Sequence, residues 1–175
     1  GFYVAGGGHD IWDAFDGFQF VYREWTGSFD MRARVESLEG THEWAKACLM
    51  ARETLEGGSR HVDVLTTQTD GQNLYNQQWR DTTDGASASK PGAERISPVT
   101  YPNAWIRLTR EEDDTSEIKC YLSQDGVNWE FYNAHTIPVD DFDGGLPETL
   151  YVGLAVTSHD NGAATPLSEA VYQSF

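Results

Sequence analysis

The sequence predicts an all-β fold, a two-sheet antiparallel sandwich. Three observations carry that prediction. Short segments alternate apolar and polar residues, turn signals separate them, and the composition combines 13% aromatics with 17 glycines. At 175 residues the chain is long enough for one domain with a sizeable core, and residues 1–175 read as that single domain.

In chain order, Phe2–Ala5 is a short strand stopped by Gly6-Gly7-Gly8, and residues 9–17 form an acidic loop with apolar Ile11, Trp12 and Phe15. Phe18, Phe20 and Tyr22 alternate with Gln19 and Val21. Phe29, Met31, Ala33 and Val35 alternate with Asp30, Arg32, Arg34 and Glu36, the cleanest half-buried pattern in the chain. Trp44–Glu53 splits into Ala45, Ala47, Leu49, Ala51 on one face and Lys46, Cys48, Met50, Arg52 on the other. Its composition also suits a helix. The absence of an N-terminal cap and the period-2 neighbours favour a central strand covered on both faces. Arg60–Gln68 returns after a Gly57-Gly58 hairpin loop, and Asp70-Gly71 is a two-residue turn signal before Asn73–Asp81. Thr82–Pro98 reads as a long loop. Ala104–Arg110, Ile118–Ser123, Trp129–Tyr132, Leu150–Ser158 and Ala170–Tyr172 complete a set of about eleven or twelve strands.

The formal charge of −16, from 28 Asp+Glu against 12 Lys+Arg, argues against a nucleic-acid partner or an anionic membrane surface. It suits a soluble surface, a divalent cation or a neutral glycan. No 18-residue apolar run predicts membrane insertion. With no signal peptide in view, the chain reads as a mature or excised form. The two cysteines, Cys48 and Cys120, form no CxxC pair, so zinc is not expected; a single disulfide and two buried free thiols are the alternatives.

Several motifs carry a resemblance to a known family. They are Gly8-His9-Asp10-Ile11-Trp12, Asp16-Gly17-Phe18-Gln19-Phe20, Trp44 to Thr54, Trp105 to Arg110, Ser123 to Trp129 and Tyr151 to His159. Together they resemble bacterial secreted concanavalin A-like, laminin-G-like jelly-roll domains, a type sometimes described as regulation-of-enolase-like, over nearly the whole chain. The resemblance implies a jelly roll, a secreted or cell-surface location, and a module of a larger extracellular protein. Where this family has Gly and a small residue, the chain has Cys48 and Cys120; the paired departures suggest a Cys48–Cys120 disulfide. Such sandwiches often hold one structural calcium ion, which takes six to eight oxygen ligands. Asp10 and Asp16, with Asp13 between them, are the preferred ligands, and Asp140, Asp141 and Asp143 form a second acidic loop.

Catalysis finds little support. Glu112-x-Asp114-x-x-Glu117 matches a glycoside hydrolase pattern, but polar residues separate the carboxylates and the run reads as a hairpin tip. Ser123-x-Asp125-Gly126-x-x-Trp129 reads as a hairpin turn. The chain is therefore not expected to be an enzyme. Trp12, Trp44, Trp105 and Trp129 are assigned to the core, which leaves Trp25 and Trp79. Trp79 shares a face with Tyr75 and Gln77. With Arg80, Arg52, Lys46 and Arg107 they form the candidate ligand platform, because aromatic rings stack on sugar faces while amides and guanidinium groups bond hydroxyls. The strand register decides which of them share a face. The expected function is a non-catalytic module binding a glycan or polysaccharide. The alternative is a structural or adhesive module of a surface, filament or virion assembly, meeting protein partners or other domains of its parent.

Overall fold

The computed structural model describes residues 1–40, 42–139, 144–160 and 167–175. Twelve strands are present among them: β1 (Phe2–Gly6), β2 (Gln19–Thr26), β3 (Phe29–Glu39), β4 (Lys46–Arg52), β5 (His61–Thr67), β6 (Tyr75–Arg80), β7 (Ala88–Ser89), β8 (Ala104–Arg110), β9 (Glu117–Ser123), β10 (Glu130–Thr136), β11 (Thr149–Thr157) and β12 (Ser168–Gln173). They build two six-stranded sheets. The first runs β1-β12-β3-β8-β9-β10 and the second β2-β11-β4-β5-β6-β7, with every neighbouring pair antiparallel. The protein is thus an all-β two-sheet sandwich, as its alternation predicts.

The inward face of each strand supplies the core. Met31, Ala33 and Val35 of β3, Ile106 and Leu108 of β8, and Ile118, Cys120 and Leu122 of β9 meet Ala47, Leu49 and Ala51 of β4, Val62 and Val64 of β5, and Leu154 and Val156 of β11. Burying such side chains contributes about 1.5–3 kcal/mol each. The second sheet carries another apolar layer on its outer face. There Cys48, Met50, Leu65, Leu74 and Ala155 pack with Ile11, under Phe18, Phe20 and Trp44. Every residue of β4 and β5 is therefore buried, which explains why Trp44–Glu53 lacks a polar face.

Several local expectations change. The link between β5 and β6 is the seven-residue stretch 68–74, with Gly71 N–H bonded to the Gln68 carbonyl, so Asp70-Gly71 turns inside a wider loop. The segment 82–98 contains β7, and Tyr75 bridges Ile96, so it extends the sheet edge alongside β6. Glu112 and Asp114 lie in the exposed tip between β8 and β9, where Asp114 accepts from Ser116 N–H and Oγ–H.

The Cys48–Cys120 disulfide is overturned: both thiols are free and buried. Strand parity is the reason. Cys48 shares the outer face of β4 with Lys46 and Met50, whereas Cys120 lies inward between Ile118 and Leu122, so the second sheet stands between them. Burial raises both thiols well above the usual cysteine range. A thiol reagent should find no reactive cysteine in the native protein and two after unfolding in urea. A reducing agent should leave the melting temperature unchanged; a lower value would reinstate the bridge.

Candidate functional site

The outer face of the second sheet concentrates polar chemistry. Cross-strand register sets Arg52, His61 and Arg80 in one row and Met50, Asp63 and Gln78 in the next, with Lys46 at the far end of β4. The loop of residues 7–18 folds over this face. It is tied down by Asp16 N–H to the Gly57 carbonyl at 2.8 Å and Ser87 N–H to the Asp13 carbonyl at 2.8 Å. Gly8 starts it with φ +117°, and a Cβ there would stand 1.9 Å from the Gly17 carbonyl oxygen, so only glycine fits the crossing.

Asp16 is the anchor. Its Oδ1 and Oδ2 accept from Arg80 Nη2 and Nη1 at 2.6 and 2.8 Å, and Oδ2 also faces Arg52 Nη1 at 3.3 Å and His61 Nδ1 at 3.6 Å. Arg80 donates further to the carbonyls of Asp13, Ser59 and Gly85, each at 2.9 Å. Arg52 bonds the Thr54 carbonyl and lies over the Phe18 ring. Beside this network Asp63 and His61 are fully buried, with Asp63 Oδ2 3.6 Å from His61 Nε2 and neither atom hydrogen-bonded. Burial pushes Asp63 up to about 8 and His61 down to about 4.

At the other end of the face a cleft of about 270 Å³ opens to solvent. It is lined by Asp10, Trp12, Trp44, Lys46, Gln78, Arg95 and His159. Lys46 Nζ pairs with Asp10 Oδ1 and bonds the Ile11 carbonyl at 3.1 Å, and His159 Nε2 meets Asp10 Oδ2 at 2.9 Å. Asp10 Oδ1 also accepts from Ile11 N–H. His159 stacks on His42 at 4.1 Å, and burial lowers its pKa. Arg95 lies over Trp44, 5.2 Å from the ring centroid.

The seven residues of the expected ligand platform fall on three surfaces. Lys46, Arg52 and Arg80 lie on this outer face; Lys46 lines the cleft, whereas both arginines are sealed in ion pairs. Tyr75, Gln77 and Trp79 alternate with them and face the other sheet. There Gln77 bonds Asn133, Trp79 stacks on His135 at 4.2 Å, and Tyr75 joins the core. Arg107 sits on the outer face of the first sheet, paired with Asp30 at 2.7 Å and lying over Tyr121 and Trp129.

The tryptophan sorting holds only in part. Trp25 is exposed as expected, but Trp12, Trp105 and Trp129 are half-buried rings outside the core clusters, and Trp44 and Trp79 are both half-buried and packed against a core cluster. Sequence reasoning therefore missed Trp12, Trp44, Gln78, Arg95 and His159. Trp44 carried a usable signal, since it has the same parity as Lys46; Arg95 and His159 sit in loops without periodicity.

Asp10, Asp13 and Asp16 do not fit calcium. Asp10 is neutralised by Lys46 and faces His159, and Asp16 is neutralised by Arg52 and Arg80, so cations already hold the oxygens an ion would need. Asp13 is exposed and contributes its backbone carbonyl to Arg80. Among the described residues no three His, Cys, Asp or Glu side chains gather to hold a metal. Asp140, Asp141 and Asp143 lie outside the described residues.

No known family profile matches the chain, and no curated protein matches it. A solved structure does. It is the crystal structure of a functionally unknown protein from Saccharomyces cerevisiae, similar at a TM-score of 0.71 and 15% identity over 98% of this chain and 85% of that one. At that identity the likeness shows a shared sandwich fold.

Proposed function

We propose that the chain is a non-catalytic carbohydrate-binding module, of the concanavalin A-like jelly-roll type, from a secreted or cell-surface protein. The cleft at Trp12 and Lys46 is its glycan site. One observation carries the reading: a half-buried indole on a loop, Trp12, opens onto a small cleft with convergent polar groups, namely Lys46, Gln78, Arg95 and His159. That combination of apolar platform and few fixed polar groups is what ligand sites require. The cleft volume of about 270 Å³ suits a single sugar ring. Among the described residues its one lining carboxylate, Asp10, is committed to Lys46 and His159, whereas glycoside hydrolysis uses two. The extracellular setting rests on the family resemblance of the motifs.

A glycan array followed by calorimetry tests this. Trp12→Ala, which removes no core side chain, should weaken binding at least about tenfold, the loss expected for one stacked ring at about 1.4 kcal/mol. Trp79→Phe, remote from the cleft lining, should bind like the parent. An array with no bound glycan overturns the proposal. A second reading, adhesion to a protein partner, draws on the exposed groove of about 880 Å³ where Phe2, Tyr22, Trp25 and Phe175 gather. It would be favoured by self-association that Trp25→Ser abolishes.

A further inference from the structure

We infer that the cleft selects an acidic sugar, a ring bearing a carboxylate such as a uronic acid. This rests on the glycan reading and deepens it. Two lining groups each hold a buried polar atom without a hydrogen-bond partner, and the two atoms are of opposite polarity. Gln78 is 3% exposed, and its Oε1 has no hydrogen bond. Arg95 Nε–H is buried without an acceptor, and among the described residues its guanidinium has no carboxylate within ion-pair distance. Among the described residues its side chain makes one hydrogen bond, a long one to Ser89 Oγ, 3.4 Å from Nη2. Leaving such groups dry and unpaired is costly, so a ligand that completes both gains most.

Charge decides the ligand's chemistry. Lys46 and Asp10 cancel each other, and His159, with its pKa lowered by burial, adds no charge near neutrality. Among the described lining residues Arg95 is therefore the uncompensated charge, a net +1 on a chain whose total is −16. A guanidinium forms an ion pair with a carboxylate, often through two parallel hydrogen bonds, which a neutral hydroxyl does not offer. Gln78 Oε1 requires a donor, which a sugar hydroxyl supplies and a carboxylate does not. A ring carrying both groups satisfies both orphans, with Trp12 beside it for an apolar sugar face. The strongly acidic remainder of the surface repels densely charged polyanions, so an isolated acidic residue within a glycan fits better than a sulfated polymer.

The test uses the whole chain and calorimetry at one fixed salt concentration. Its probes are neutral oligosaccharides bearing a single galacturonate or a single mannuronate residue, each beside its carboxyl-reduced neutral counterpart. At least one acidic probe should bind about tenfold or more tighter than its reduced partner. Arg95→Gln, on a partly exposed loop, should bring the pair within about twofold while leaving the circular dichroism and melting temperature unchanged. Gln78→Leu should weaken the acidic and neutral members alike. Equal binding of acidic and reduced probes by the parent protein would overturn the acidic-sugar assignment and leave the glycan reading standing. Binding of neither, together with a blank array, would overturn both. An acid preference that survives Arg95→Gln would remove Arg95 from the assignment and refute it.

Discussion

Asp16→Ala is expected to cost about 3–5 kcal/mol of folding stability, the largest single effect in this protein. Asp16 is 5% exposed and accepts three guanidinium contacts, two from Arg80 and one from Arg52. Arg52 and Arg80 are themselves fully buried. Removing the carboxylate leaves two desolvated cations facing each other across His61, with only uncharged acceptors left: backbone carbonyls, Ser87 Oγ and the Met50 sulfur. A buried charge without its counterion is expensive because neither water nor a neighbouring dipole replaces it at the same distance. A domain of this size has about 5–15 kcal/mol in total, so the variant should sit close to unfolding. Urea titration of Asp16→Ala and of Asp16→Asn checks this. Asn keeps an acceptor for Arg80 but not the charge, so its loss should be intermediate. The control is Asp30→Ala, which breaks the Arg107–Asp30 pair on the outer face of the first sheet. With a side chain 55% exposed, Asp30 should matter by less than about 1 kcal/mol. Equal, small losses for Asp16→Ala and Asp30→Ala would show that the network holds no weight. The site should suffer too, since Asp16 fastens one end of the loop whose other end supplies Asp10 and Trp12.

The strands were legible because period 2 is a local property. Met31, Ala33 and Val35 announce an inward face without any knowledge of the partner strand. The same parity groups Lys46, Cys48, Met50 and Arg52, and it separates Tyr75, Gln77 and Trp79 from Arg80. What parity cannot state is which side of the sandwich a set faces. That depends on sheet order and on the loop of residues 7–18, which turns the outer face of the second sheet into a second interior. Hence Tyr75 and Trp79, read as a platform, point at the other sheet, and Arg52 and Arg80, read as ligand contacts, are locked against Asp16. Cys48 and Cys120 were paired from a resemblance, yet one sheet separates them. The cleft itself was the least legible part. Arg95, His159 and Asp10 come from three loops, and Gln78 looked like any polar strand residue. Only the three-dimensional path of those loops brings them to Lys46 and Trp12.

Stability should fall as pH rises from about 6.5 to 8, by about 2 kcal/mol, through Asp63. Asp63 is fully buried between Met50 and Gln78 on the neighbouring strands. Desolvation raises it from 3.8 to about 8, Asp16 and Asp10 add to the rise, and Lys46 and the Gln78 backbone oppose it. The folded state therefore holds a proton that the unfolded chain releases near pH 4. Between those values the folded state binds more protons, so each pH unit costs about 1.4 kcal/mol. His61 works in the opposite direction. Desolvation and the nearby Arg80 and Arg52 lower it from 6.5 to about 4 against the pull of Asp16. From about 4 to 6.5 the unfolded state carries the extra proton, and stability gains from rising pH. The two slopes cancel in that lower window, and Asp63 acts alone from about 6.5 to 8. Asp63→Asn, isosteric with the protonated acid, should abolish the decline above 6.5 and expose the histidine slope below it. Its advantage over the parent protein should therefore grow with pH, read as the difference in urea midpoints at pH 5, 6.5 and 8. A pH-independent difference would mean that Asp63 is ionised in the folded state throughout. The neutral Asp63–His61 pair would then be replaced by a buried ion pair.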